Sequence, residues 1–433
     1  MDAGSISLLV LLLLVGYLAT GTVIFVSIIC VSLISLAAFL DFDAHRLGAT
    51  LTRIMIRSSS SWELSAIPLF VWMGEIVFRS SLISKMFRGL SPVVGRLPGG
   101  LLHTNVIGCA LFAAVSGSSA ATTATVGKIT LGELRDRGYD ERLSVGSLAG
   151  AGTLGLLIPP SIVMIIYGLL ANVSIIQLFA AGLLPGFLIA TIYSGYVAAR
   201  CIVKPQLAPR DGVPEVSGRA ILDLWPIVVL IIVVLGSIYT GWATPSESAA
   251  IGVATALALT AIHGELSFKL IRESLIAAVP ISCMICSILV AAAFLSTAMG
   301  FLHIPQDIAR LIGGLNLSAA QLLLLLAVFY VLLGLLLDGI SITVMTLPII
   351  LPLILAAGID PIWFGVFLVI MVELGQMTPP VGFNLFILQG MSGVPILRVA
   401  SAALPFFALM CLGVLLLTLF PDIALWLPSV LFQ

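Results

Sequence analysis

Residues 320–337 contain no charged side chain, and 221–262 contains only Asp223 and Glu247. Such runs approach or exceed the roughly 20 residues that cross a hydrocarbon core. A water-soluble fold of 433 residues needs far more than 9% charged residues to cover its surface, and 60% of this chain is hydrophobic. Mean hydropathy is +1.23. The short alternating segments of a transmembrane β-barrel are absent. The sequence therefore specifies an all-α polytopic membrane protein. The run from residue 5 to 40 is too long for a signal-peptide core and no basic region precedes it, so it reads as a retained helix.

Breaks in hydrophobicity divide the chain into helical stretches near 5–15, 22–40, 62–80, 101–115, 120–133, 143–173, 177–200, 222–240, 246–262, 276–299, 318–337, 340–357, 360–390 and 397–420. The two halves resemble each other. "GLLIPPS" at 155–161 is echoed by "GQMTPPV" at 375–381, "YLAT" at 17–20 by "GWAT" at 241–244, and the polar break Ser116–Ser119 by "DGIS" at 338–341. Similar offsets in the same order indicate an internal duplication.

Charge supplies orientation. Arg79, Lys85, Arg88 and Arg96 precede the first polar break, and Lys128, Arg135, Arg137 and Arg142 follow it. A helix pair that enters and leaves on one basic side is a re-entrant hairpin opening to the cytoplasm. The flanks of the second break carry only Arg310, so that hairpin opens to the other side. Tracing the chain this way puts all but Arg46, Arg53, Arg57 and Arg310 of the 19 Lys and Arg residues inside. The three arginines of 46–57 run against the rule, and that segment reads as an interfacial helix outside. Both termini come out external. An inverted-topology repeat fits secondary transporters, ahead of channels with similar pseudo-symmetry.

In this oil-like chain, "SGSSAATTATVG" at 116–127 stands out. Irregular backbone at membrane depth survives only where protein or a water-filled cavity satisfies it. At a hairpin tip one half-helix ends, offering carbonyls, and another begins, offering N–H groups. Ser, Thr and Gly add oxygen ligands without bulk, which suits a hard cation such as Na⁺, while helix N-termini suit an anion. The pairs Pro159–Pro160 and Pro379–Pro380 remove backbone donors and bar the preceding residue from helix, leaving carbonyls around Gly152–Ile158 and Gly375–Thr378. A small-residue run can also serve close helix packing alone. Its pairing with a Pro-Pro break in both halves favours binding: two tips and two breaks would converge on one cradle.

Asp338, at the second tip, is either a site residue or the N-cap of the half-helix that follows. Glu373 stands between site and structural roles, and Glu75 is expected at a neighbouring helix or the membrane boundary. Thr244, Pro245 and Glu247 have the spacing of a capping box. Asn384 either faces the cavity or bonds between helices. The six cysteines lie in apolar segments, and Cys283 and Cys286 read as packing residues. His103 alone of four histidines approaches the core, with no H-E-x-x-H pattern. No metal-ligand set or nucleophile–base pair stands out, so an intramembrane enzyme lacks support. A net charge of −1 implies no nucleic-acid partner.

"IPLFVWMGE" (67–75), "GRLPGGL" (95–101), "SGSSAATTATVGKI" (116–129), "GTLGLLIPPSIVMIIYG" (152–168), "LLPGFL" (183–188), "GWATPSESAA" (241–250) and "GQMTPPVGFNLF" (375–386) together resemble the large membrane subunit of tripartite ATP-independent periplasmic (TRAP) transporters. The resemblance covers nearly the whole chain. "GYLATG" at 16–21 departs from it, since relatives carry a Gly-x-Pro there. It implies a multi-pass bacterial inner-membrane transporter with an elevator-type fold, driven by a sodium gradient. The implied partners are a small four-helix membrane subunit, expected as a separate polypeptide, and a periplasmic substrate-binding protein.

By the same resemblance, scaffold halves fall at 1–80 and 222–299, amphipathic arms at 81–98 and 300–316, and transport halves at 99–200 and 317–433, with a cytoplasmic linker at 201–221. The implied sodium sites match Ser116, Gly117, Ser118, Ser119, Gly152, Thr153 and Gly155 in the first half. In the second they match Asp338, Gly339, Thr343, Gly375 and Thr378. No cofactor is expected beyond Na⁺ as coupling ion.

The expected function is coupled uptake of a small carboxylate. The solute would occupy a cradle between 118–123 and 378–384, with Thr122, Thr123, Pro160, Ser161, Pro379, Pro380 and Asn384 as substrate-binding candidates. The alternative is a stand-alone sodium- or proton-coupled carboxylate carrier that needs no binding protein, its proton version leaning on Asp338 and Glu373.

Overall fold

The computed structural model describes residues 9–10, 12–13, 16–17, 20–209, 222–313, 317–335, 337–379 and 382–432. Most of the expected helix 5–15, part of the 17–20 echo, residues 210–221 of the linker, the end of the second arm at 314–316, and Pro380 lie outside the described residues. The described chain is all-helical, with no strand.

The first half runs α1 (Ile24–Leu40), α2 (Ala44–Ser59), α3 (Ala66–Arg79), α4 (Leu82–Val94), α5 (Leu102–Ser116), α6 (Ser119–Asp136), α7 (Glu141–Gly152), the single turn α8 (Leu154–Leu157), α9 (Ile162–Ala171) and α10 (Ile175–Val203). The second runs α11 (Trp225–Tyr239), α12 (Pro245–Ile262), α13 (Phe268–Phe301), α14 (Ile304–Gly313), α15 (Ala319–Gly334), α16 (Gly339–Ala356), α17 (Pro361–Gln376), α18 (Phe383–Ser392), α19 (Ile396–Leu419) and α20 (Asp422–Leu431). By length and composition, six helical stretches among the described residues can cross a membrane, or seven if α2 and the 62–79 helix, bent by 58°, count as one. The chain is thus a polytopic helical membrane protein.

Local chemistry places the ends. Ser174, Ser267 and Ser318 each cap the helix that follows by accepting an N–H bond. Thr244 and Glu247 form the expected capping box at the start of α12. The hydrophobic run 276–299 understates α13, which begins at Phe268. Its first turns carry Lys269, Arg272 and Glu273, which suit a helix but not an apolar window, and Lys269 pairs with Glu273 at 3.9 Å. The expected stretches 143–173 and 360–390 are each divided at their Pro-Pro pair, and α20 continues beyond the last expected helix. Segment 46–57 falls within α2, whose residues are not buried.

The packing falls into two groups. In the first, α3 lies against α12 and α13, α1 against α13, and α11 against α12. In the second, contacts come in matched pairs: α5 with α7 and α15 with α17, then α9 with α16 and α18 with α6, then α7 with α19 and α17 with α10. Each half thus completes the other, as the duplicated motifs require. The amphipathic α4 links the groups, burying Leu82, Met86, Phe87 and Leu90 on one side. Glu265, in the loop before α13, accepts the Ser81 N–H at 2.7 Å and the Ser81 hydroxyl, fixing where α4 begins.

Replacing Thr244 with Ala removes the oxygen that accepts the Glu247 N–H, and a lost N-cap costs about 1 kcal/mol. The melting midpoint of the purified protein should fall by a degree or more in a fluorescence melt, and Thr244→Ser should restore it. Equal midpoints for the Ala and Ser variants would contradict the capping role.

Candidate functional site

The first tip forms where α5 stops at Gly117, whose left-handed φ of +59° reverses the chain. Ser118 then caps α6, its hydroxyl accepting the Ala121 N–H at 3.4 Å. Ser116 Oγ lies 2.8 Å from Thr122 Oγ1, stapling the two half-helices. A Cβ on Gly117 would lie 2.7 Å from the Pro160 carbonyl oxygen, and the Ile162 N–H donates to the Gly117 carbonyl at 3.4 Å. The tip therefore rests on the first break.

That break runs from Ile158 to Ser161, which caps α9 through the Met164 N–H. Because Pro159 and Pro160 lack N–H groups, the carbonyls of Gly155 and Leu156 have no helical donor four residues on. A Cβ on Gly155 would lie 2.7 Å from both the Ser118 oxygen and the Ser119 nitrogen. Gly152 packs directly against the Thr123 hydroxyl. Thr153 is buried, its hydroxyl donating to the Gly150 carbonyl at 2.6 Å.

At the second tip Asp338 is the N-cap of α16. Its carboxylate accepts the Ile340 N–H at 3.1 Å, the Ser341 N–H at 3.4 Å and the Ser341 hydroxyl. The Thr343 hydroxyl donates to the Gly339 carbonyl at 2.8 Å. Gly375, before the second break, meets the backbone of Gly334 with no side chain between them. The Thr378 hydroxyl donates to the Leu374 carbonyl at 2.7 Å, and the Gly382 N–H donates to the Thr378 carbonyl at 3.0 Å.

Both tips open on one cavity of about 560 Å³. Ser116, Gly117, Ser118 and Ser119 reach it from the first tip, and Asp338 and Gly339 from the second. Leu156 and Gln376 come from beside the two breaks. The opposite wall is Val71, Gly74, Glu75 and Phe78 of α3 with Ile281, Met284 and Ile285 of α13. Among the described lining residues there is no Lys, Arg or His, and the ionisable groups are Glu75 and Asp338.

Several expected residues stand behind this wall. Gly152, Thr153, Gly155, Thr343, Gly375 and Thr378 support the tips and breaks without lining the cavity. Of the substrate candidates, Thr122, Thr123 and Ser161 are buried behind the first tip. Pro160 supports Gly117, and Pro379 is exposed away from the cavity. Asn384 is buried and its amide has no hydrogen-bond partner among the described residues, so it makes neither expected contact.

Residues facing the cavity that lie within the quoted motifs but were not named individually as candidates include Ala120, Ala121, Ala124, Thr125 and Phe383. The first three carry a usable signal, since they recur at helical spacing just after the tip. Glu75 has two roles: it pairs with Arg79 at 3.1 Å and borders the cavity. Gly74 lies beside the first tip, where a Cβ would make an ordinary contact of 3.5 Å with Ser116 Cα.

Glu373 is completely buried, and one carboxylate oxygen accepts the hydroxyl of Ser119 across the two halves. His103 is buried, with one ring nitrogen 2.8 Å from the Pro98 carbonyl. Among the described residues all six cysteines are free and no cluster of metal-ligating side chains occurs.

Residues 10–423 match the family described as tripartite ATP-independent periplasmic transporter, DctM component. The chain belongs to this family. It is a TRAP transporter large permease subunit, and several of its relatives are named as permeases. It is 33% identical over 378 residues to the C4-dicarboxylate TRAP transporter large permease protein DctM of Pseudomonas aeruginosa, covering 87% of this chain and 88% of that one. It is 32% identical over 379 residues to the isethionate TRAP transporter permease protein DctMQ of Oleidesulfovibrio alaskensis, covering 86% of this chain and 59% of that one. The crystal structure of the Alcanivorax borkumensis YdaH transporter, described as having an unusual topology, shares the fold. Its TM-score is 0.63 at 15% identity, over 89% of this chain and 91% of that one.

Gly155→Ala would press a methyl group into the backbone of Ser118 and Ser119, an overpacking that costs about 1–3 kcal/mol. The variant permease should melt several degrees lower, whereas Gly132→Ala, where a Cβ meets nothing within 4 Å, should not. Similar melting midpoints for the two variants would show that the tip and break are not in contact.

Proposed function

We propose that this permease carries out sodium-coupled uptake of a small organic anion, a carboxylate in the first instance, handed over by a periplasmic binding protein. The single observation that carries the reading is the shared cavity at the two tips, which among the described residues has two acidic side chains and no basic one. An anion entering such a space gains no ion pair with a side chain. Its charge is balanced by helix N-termini and by bound cations. Na⁺ held by carbonyl and hydroxyl oxygens at Ser116–Ser119 with Gly152–Gly155, and at Asp338–Thr343 with Gly375–Thr378, supplies that balance. The solute then lies between the tips.

The two tips act as re-entrant hairpins of an inverted repeat. The group formed by α1, α3, α11, α12 and α13 is a scaffold. The group carrying both tips slides against it as an elevator, with α4 and α14 as arms. The charge pattern supports the bacterial inner membrane with the basic loops inside. A small membrane subunit and a binding protein complete the system. Relatives named for a C4-dicarboxylate and for isethionate support an organic anion as cargo without choosing between carboxylate and sulfonate.

Sodium dependence can be read without knowing the solute. NaCl should raise the melting midpoint of the purified subunit complex above that in KCl at equal ionic strength. Ser118→Ala and Asp338→Asn should each raise the half-saturating Na⁺ concentration roughly tenfold, equivalent to ~1.4 kcal/mol of binding. Equal stabilisation by K⁺ and Na⁺, or unaltered sodium titrations in both variants, would overturn the proposal. Uptake in proteoliposomes without a binding protein would favour a stand-alone carrier, and uptake driven by a pH gradient without sodium would favour proton coupling.

A further inference from the structure

The two tips differ in how their leading serines are held. At the second, Ser341 donates to Asp338 of its own hairpin. At the first, no acid stands at the tip itself, and the Ser119 hydroxyl donates to Glu373, 254 residues away on α17. The duplicated position to Glu373, set by the Pro-Pro pairs, is Thr153, which turns to its own helix through the Gly150 carbonyl. The second half therefore reaches the first with a carboxylate, and the first does not reciprocate. Among the described residues this is the only side-chain to side-chain hydrogen bond joining the transport halves.

The turn of α17 that carries Glu373 also touches the second tip. Val372 and Gln376 lie against Gly339, and Gly375 meets Gly334. One face of this turn thus packs on the second hairpin while Glu373 extends from it to the first. Glu373 is completely buried, so water does not compete for the side chain. A rigid helical turn held at both ends transmits displacement, because packed interiors do not deform continuously.

We propose that Glu373 is a positioning residue that couples the two ion cradles: closure of the second tip on α17 sets the place of Ser119, and so the affinity of the first. This rests on the sodium reading above. It requires only that an oxygen at this point accept the Ser119 hydroxyl, so a glutamine carbonyl serves as well as a carboxylate.

The test is the sodium titration of the melting midpoint, paired with sodium-dependent uptake by the full three-subunit system. Wild type should titrate with a Hill coefficient above one. Glu373→Ala should bring it to about one and raise half-saturation roughly fivefold, while Glu373→Gln should keep both near wild type. Ser119→Ala should resemble Glu373→Ala, and the double variant should be no worse than the poorer single one. Should Glu373→Ala not fold, Glu373→Met keeps the length without the acceptor and takes its place. A wild-type Hill coefficient in the Ala or Met variant, a Gln variant as impaired as Ala, or additive effects in the double variant would overturn the coupling role. A wild-type protein with no sodium response would instead overturn the sodium reading itself.

Discussion

A peptide group placed in hydrocarbon must find its hydrogen-bond partner within the protein. Throughout most of this chain a continuous helix answers that demand. At four places it does not, and those places are not scattered. Gly117–Ser118, Ile158–Ser161, Asp338–Gly339 and the end of α17 lie next to one another. Gly117 rests on Pro160, Gly155 on Ser118, and Gly339 on Leu156 and Gln376. Open backbone is tolerated because the other breaks shield it from lipid, and clustering leaves a polar-rimmed hollow inside an apolar body.

The same constraint explains what could be read from the sequence. Prolines in pairs and a run of small hydroxyl residues are loud signals against an apolar background, so the tips and breaks were legible to within a few residues. The helix assignments held where hydrophobicity was continuous. They failed where a helix leaves the apolar region: Lys269 and Glu273 belong to α13 because helical propensity and an ion pair hold its first turns. The cavity lining was less legible. Thr122, Thr123 and Asn384 have suitable chemistry at suitable distances along the chain, but each points into protein. Which face of a short half-helix meets the hollow depends on how α3 and α13 close the far side, and no local pattern encodes that.

The electrostatics follow a similar division. Glu247 caps a helix at an exposed end, where its spacing with Thr244 is enough to identify it. Asp338 performs a similar capping task beside the cavity, so one carboxylate both terminates a half-helix and borders the hollow. Glu75, paired with Arg79 on one side and open to the hollow on the other, shows how α3 can contribute charge to a space built mainly by the opposing group.

The meeting of Gly334 with Gly375 has a further consequence. Two main chains in direct contact leave no rotamer to adjust and no atom to trim. An enlargement on either helix at that seam cannot be offset by a smaller residue opposite, since none exists. Evolution can therefore vary the walls of the hollow one side chain at a time, but at this seam it must keep both residues or rebuild the hairpin.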